Sequence, residues 1–183
     1  MPGLAGWRRQ TQLEDDVRVI RDLPPLPLPQ YAIARIGCSD VPDEIVGDLR
    51  QMGIPAGLIG HEYQPLSEAA LLNGVGESGL LVFGTSGLFG RLGIDVATRR
   101  VVHIPTPEST TANHVNRDLG IFHECVAATI ARFPFYEEGE EERFQAAADE
   151  LRELVTTLDD TALAHNGFWE TLCDDVAMGD YAN

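Results

Sequence analysis

The sequence predicts an α+β fold: an antiparallel β-meander sheet with an N-terminal helix before it and three C-terminal helices packed on it. Two observations carry that prediction. Between Gly79 and Pro105, three short apolar runs (residues 80–83, 92–96 and 101–104) are separated by Gly84-Thr-Ser-Gly87 and Ala97-Thr-Arg-Arg100, the pattern of strands joined by tight turns. After Pro107 the apolar residues recur at three- and four-residue spacing, which is helical. A helix, then strands, then helices is an α+β order, with the sheet covered on one side.

Taken in order, the first 22 residues are polar and mixed, with a short strand expected at residues 17–20. Pro24, Pro25, Pro27 and Pro29 enforce an extended connector, because proline fixes φ and biases its predecessor away from helix. Residues 31–36 read as a strand. Asp40, Pro42 and the acidic pair Asp43-Glu44 signal a helix running to about Met52, stopped by Gly53-Ile54-Pro55. Residues 58–72 read as loop and short strand, and the meander follows. Leu119, Phe122, Val126, Ile130 and Phe133 form one face of a helix that Asn116 is placed to cap. The acidic loop 137–142 leads into a second helix with Phe144, Ala148, Leu151, Val155 and Leu158 on its core side. A third helix, starting near Asp160, carries Leu163, Phe168, Leu172 and Val176 and ends at Gly179. The division expected is an N-terminal extension over 1–39, with possible edge strands, and an α+β domain over 40–183, together one compact unit.

Composition narrows the function classes. The 183 residues are 44% hydrophobic and 23% charged, ordinary values for a globular protein. No apolar run reaches the length of a membrane span, and no signal peptide follows the N-terminal arginines, so a cytoplasmic location is expected. Three widely spaced cysteines, Cys38, Cys125 and Cys173, suit reduced, buried thiols better than a disulfide framework or a zinc ribbon. The net charge of −16 opposes nucleic-acid binding, which needs clustered basic residues, and favours long-range steering toward a basic partner. Every basic side chain except histidine is arginine, which removes lysine Schiff-base chemistry and any Walker-type lysine.

No motif rises to an active site. Gly84, Gly87 and Gly90 have G-x-x-G-x-x-G spacing, but a strand pattern follows where a phosphate loop needs a helix, so they read as turn glycines. His103, His114, His123 and Cys125 invite a metal hypothesis. His123 and Cys125, two apart on a helix, diverge by about 200°, and solvated histidines with a core thiol explain the set better. Neither a G-x-S-x-G elbow nor a distinguishable carboxylate pair is present, and no catalytic, metal or cofactor residue is assigned. The candidate partner-binding residues are acidic: Glu137, Glu138, Glu140, Glu141 and Glu142, with Asp174, Asp175 and Asp180 near the C-terminus. A solvated loop and helix-start charges account for them equally well. Trp169 flanks an apolar helix face and reads as core.

Several of these features recur in a known order. They are Met52-Gly53-Ile54-Pro55, Leu80-Leu-Val-Phe-Gly84-Thr85, the hairpin from Gly93 through Asp95 and Thr98 to Val101, Val115-Asn116 leading to Phe122, Asp159-Asp160-Thr-Ala162-Leu163, and Phe168-Trp169 with Leu172. Over about residues 40–178 the chain resembles the SUKH superfamily of bacterial immunity proteins, which includes the SMI1/KNR4-like proteins, and is most similar to its SUKH-4 family. Two positions depart from the family pattern: Gly84-Thr85 stands for Gly-Ser, and Thr98-Arg99 for a Thr-Gly turn. Arginine fits there where the loop is wider or the turn needs no positive φ. The resemblance implies an immunity fold that binds and neutralises a cognate toxin domain, often a nuclease or nucleic-acid deaminase, without chemistry of its own. The implied partner is a basic toxin domain encoded nearby, with no nucleic acid, membrane or cofactor. The alternatives are a regulatory scaffold of the SMI1/KNR4 kind and an enzyme using His103 or His114 as base.

Overall fold

The computed structural model describes residues 29–59, 62–109, 111–137, 139–163 and 167–181. The strand expected at 17–20 and Pro24, Pro25 and Pro27 lie outside them. Five strands form one antiparallel sheet in sequential order: β3 (Gln64–Leu72), β4 (Leu80–Ser86), β5 (Gly90–Asp95), β6 (Val101–Ile104) and β7 (Asn113–Asn116). A smaller antiparallel pair joins β1 (Ile33–Ala34) to β2 (Ile54–Pro55), with α1 (Gly47–Met52) between them. Three helices follow the sheet: α2 (Leu119–Ile130), α3 (Phe144–Leu158) and α4 (Phe168–Met178). Among the described residues, the α+β meander with one α-helix before it and three after it is therefore the observed architecture.

The main core lies between the sheet and the C-terminal helices. Leu81 and Phe83 of β4, Leu92 and Ile94 of β5 and Val115 of β7 meet Phe122, Val126, Leu151, Val155, Trp169 and Leu172. Phe122 is its hub, with ring centroids 5.5 Å from Tyr63, 5.9 Å from Phe83 and 6.2 Å from Trp169. Such edge and tilted contacts are the favoured aromatic geometry. Period-two alternation sends Leu80 and Val82 to the opposite face, where Val102, Ile104 and Val75 complete a second, smaller cluster. The sheet thus buries apolar side chains on both faces rather than one.

Several boundaries differ from the sequence reading. α1 begins at Gly47, not Asp40; residues 40–46 form turns, and the Asp43 carboxylate is held by Arg50 instead of lying in a helical first turn. β3 runs for nine residues through a stretch read as loop and short strand, with an irregularity between Pro65 and Ala70. β7 lies in a stretch to which the sequence reading assigns no strand. Asp118, not Asn116, caps α2, accepting the Ile121 N–H at 2.9 Å. α4 starts at Phe168, so Asp160 and Leu163 precede it.

The glycine series also divides. Only Gly87 is a turn glycine, with φ 53°. Gly84 lies within β4, where a Cβ would come 2.3 Å from the Tyr63 ring, and Gly90 opens β5 beneath His103. Arg99 adopts φ 64°, so its turn does require the left-handed region. Its guanidinium reaches across to donate to the carbonyls of Ile45 and Glu44, at 3.1 and 3.2 Å.

Candidate functional site

The site forms where the β4–β5 hairpin meets α4. Ser86 pairs with Gly90, leaving a three-residue loop. Two of its residues, Leu88 and Phe89, are 89% and 63% exposed. Tight turns favour Gly, Asn, Asp and Ser, so two large apolar side chains at this tip are conspicuous.

Beside the hairpin lies a cleft of about 190 Å³, lined by Glu62, Ser86, Gly87, His103, Phe168, Thr171, Leu172 and Asp175. α4 supplies four of these at i, i+3, i+4 and i+7, one helical face. Buried Phe168 and Leu172 give the cleft apolar lining, and Phe168 meets the edge of Trp169 at 5.1 Å. His103 projects from β6 toward Phe168, with ring centroids 6.2 Å apart. Neither of its ring nitrogens has a hydrogen-bond partner among the described residues. Burial lowers its pKa, which favours neutral imidazole.

The two carboxylates of the cleft differ in their surroundings. Glu62 accepts a hydrogen bond from the Tyr181 hydroxyl. Asp175 is half-buried, and its carboxylate has no hydrogen bond or ion pair among the described residues. Burial pushes its pKa up, and the charges of Asp180 and Asp174 push it further. Asp174 instead binds Arg152 at 2.7 Å, and the same guanidinium holds Glu170 at 3.3 Å and Asp149 at 3.1 Å.

The residues flanking the acidic run, Tyr136 and Phe144, pack against the end of α4. Glu137, Glu141 and Glu142 are exposed, and the Glu140 carboxylate accepts the Glu137 N–H at 3.0 Å. Glu138 lies outside the described residues. Tyr136 joins the two segments: its hydroxyl donates to the Val176 carbonyl at 3.0 Å and accepts the Tyr181 N–H at 3.2 Å. Phe144 stacks on Tyr136 and sits beneath Gly179, which has φ 91°. The sequence separately picked out residues 137–142 and the Asp174, Asp175 and Asp180 group; Tyr136 and Phe144, on either side of the first, reach the end of the helix that carries the second.

The histidines are not solvated as expected. His123 donates from Nε2 to the Gly53 carbonyl at 3.2 Å and accepts at Nδ1 from the Tyr31 hydroxyl at 2.6 Å, clasping α2 to the small sheet. His114 donates to Thr161 Oγ1 at 2.7 Å, and Thr161 donates to Asp159 at 2.6 Å. Asp159 is fully buried and takes four donors: the Thr161 hydroxyl and N–H, the Asn116 amide and the Arg117 N–H. Asn116 in turn accepts the Trp169 indole N–H at 2.9 Å. One polar network thereby ties β7 to the start of α4. Burial raises the Asp159 pKa, but the hydrogen bonds from Thr161, Arg117 and Asn116 outweigh it and hold the carboxyl below its usual value.

Ser86 and His103 line the cleft together, and His103 makes no hydrogen bond to a nucleophile among the described residues. Among the described residues, no group of three histidines, cysteines or carboxylates is arranged to hold a metal. Cys38, Cys125 and Cys173 are free, buried thiols, and burial pushes Cys125 and Cys173 up to about 12. No helix among the described residues is long and apolar enough to cross a membrane.

The sequence reading missed Glu62, the exposed hairpin tip and the cleft role of Phe168. The Leu88-Phe89 pair was the one available signal, two large apolar residues between glycines at a turn.

A scan against protein-family models matches SUKH-4 immunity protein over residues 43–175, more than two thirds of the chain. Searches of curated proteins and of solved structures returned no match. The matched span runs from the turns before α1, through the whole meander and the Asp159 network, to Asp175 in the cleft: the chain belongs to the SUKH-4 immunity protein family.

Proposed function

We propose that this immunity protein binds and neutralises a cognate toxin domain of the nuclease or nucleic-acid deaminase type, in the cytoplasm of the producing cell, by contact alone. The observation that carries the reading is the net charge of −16 on a chain of this family. A toxin that acts on nucleic acid presents basic substrate-binding surface, and a strongly negative inhibitor is steered to it and covers it. Inhibition is then steric and electrostatic, and the protein performs no reaction. Glu137, Glu138, Glu140, Glu141, Glu142, Asp174, Asp175 and Asp180 supply the field, and the working unit is the domain 40–183.

Co-expression with the C-terminal domain of the neighbouring toxin gene tests this. The toxin domain alone should stop growth, and this chain should restore growth and co-purify with it. A toxic domain that is neither bound nor neutralised overturns the reading for that pair. Neutralising Glu140, Glu141 and Glu142 to glutamine should lower the association rate several-fold at low ionic strength and much less at high salt.

A further inference from the structure

We propose that the toxin docks on the face formed by the Leu88–Phe89 tip and the cleft beside it, with an apolar surface of the toxin against the tip and one of its basic side chains entering between Glu62 and Asp175. This deepens the immunity reading and rests on it.

The tip supplies the apolar part of the interface. Leu88 and Phe89 are held out by a short loop between paired strands, so their exposure comes from a fixed hairpin. Protein interfaces concentrate their binding energy in such anchors, with aromatic residues enriched among them.

The cleft supplies the polar part, and its chemistry selects a cation. Its volume of about 190 Å³ compares with the ~150 Å³ cavity that accommodates a benzene-sized group. Phe168 and Leu172 receive the aliphatic stem of a long side chain. Asp175 lies half-buried beside two like charges with no partner among the described residues, whereas Asp174 already has Arg152. His103, neutral and unpartnered at both nitrogens, adds an acceptor. An arginine or lysine head group pairs with Asp175 and donates to the acceptor nitrogen of His103, whereas an anion would add a further negative charge beside Asp175 and Glu62. A second copy of this chain is disfavoured, since each copy carries a net charge of −16.

The test uses the full chain and a catalytically dead form of the toxin domain encoded beside it. Leu88→Ser with Phe89→Ser should weaken binding at least ~100-fold, chiefly through faster dissociation. Asp175→Asn should weaken it ~10-fold and flatten its salt dependence, yet raise the melting temperature, because a carboxylate with a raised pKa destabilises the free fold at neutral pH. Glu77→Gln, in the turn at the other end of β4, removes one charge and should leave binding unchanged. If the unaltered chain binds and these cleft and tip variants bind within threefold of it, the docking face is overturned and the immunity reading stands. If the unaltered chain fails to bind, both fall. A free protein that is dimeric until the tip is changed would make the tip a self-interface and overturn the proposal.

Discussion

Asp159 is the residue on which the C-terminal half converges. A buried carboxylate survives when its lone pairs are met, and four donors meet them here. Asp159→Ala leaves the Asn116 amide and the Arg117 N–H buried without their acceptor. It should cost on the order of 3 kcal/mol in urea denaturation, and a loss below about 1 kcal/mol would show the network to be dispensable. Arg99 poses the opposite problem, a side chain in a backbone conformation that suits glycine. Its bonds to Glu44 and Ile45 pin the β5–β6 turn to the turn before α1. Arg99→Ala loses those bonds and keeps the strain, whereas Arg99→Gly loses the bonds and relieves it. The alanine variant should be the less stable by about 1 kcal/mol, and the reverse order would remove strain from the explanation.

The elements that were legible in the sequence are those whose burial is set by one apolar face. α3 could be read from Ala148, Leu151 and Val155, and the three central strands from their β-branched and aromatic runs. β7 could not, because its residues are Asn113, His114, Val115 and Asn116, with Val115 the lone large apolar side chain. Asn116 is buried by an acceptor 43 positions away, which no local pattern announces. Asp160 misled for a related reason: its neighbour Asp159 anchors the network, and Thr161 turns back to it before the helix begins. The cleft was illegible as a whole, since Glu62, Ser86, His103 and Asp175 come from four separate segments. The end of α4 was legible because Gly179 terminates it in the left-handed region, as the C-cap rule expects. A Cβ there would stand 2.3 Å from the Phe144 ring in addition to the unfavourable φ. Gly179→Ala should therefore cost more than the ~1 kcal/mol of a simple C-cap glycine, measured by denaturation, and should loosen the 137–142 segment in hydrogen exchange.

At the scale of the whole molecule, the histidines set a pH limit. Burial lowers the pKa of His103, His114 and His123, with Gly53 partly opposing it at His123 and Asp159 at His114. The unfolded chain then binds protons that the folded chain refuses, so stability is present above the unfolded value of about 6.5 and is lost as pH falls through it. Asp159 acts with the same sign lower down: its stabilisation is lost as pH falls below the unfolded carboxyl range. Asp175 acts in the other direction, since its raised pKa relieves a destabilising charge as pH falls. Between pH 7.5 and 5.5 the histidines dominate, and the melting temperature should fall steadily. A flat or rising profile over that window would contradict their burial as neutral groups.

The Leu88–Phe89 tip has a consequence for the unbound protein. Oily side chains held permanently in water are sticky toward anything apolar, copies of the same chain included. Opposing that attraction is mutual repulsion among molecules of net charge −16. The abundant acidic residues thus act as a colloidal shield that disfavours association through the uncovered tip. That shield thins with added salt and vanishes near the isoelectric point of about 4.5, where the same tips are left free to meet one another.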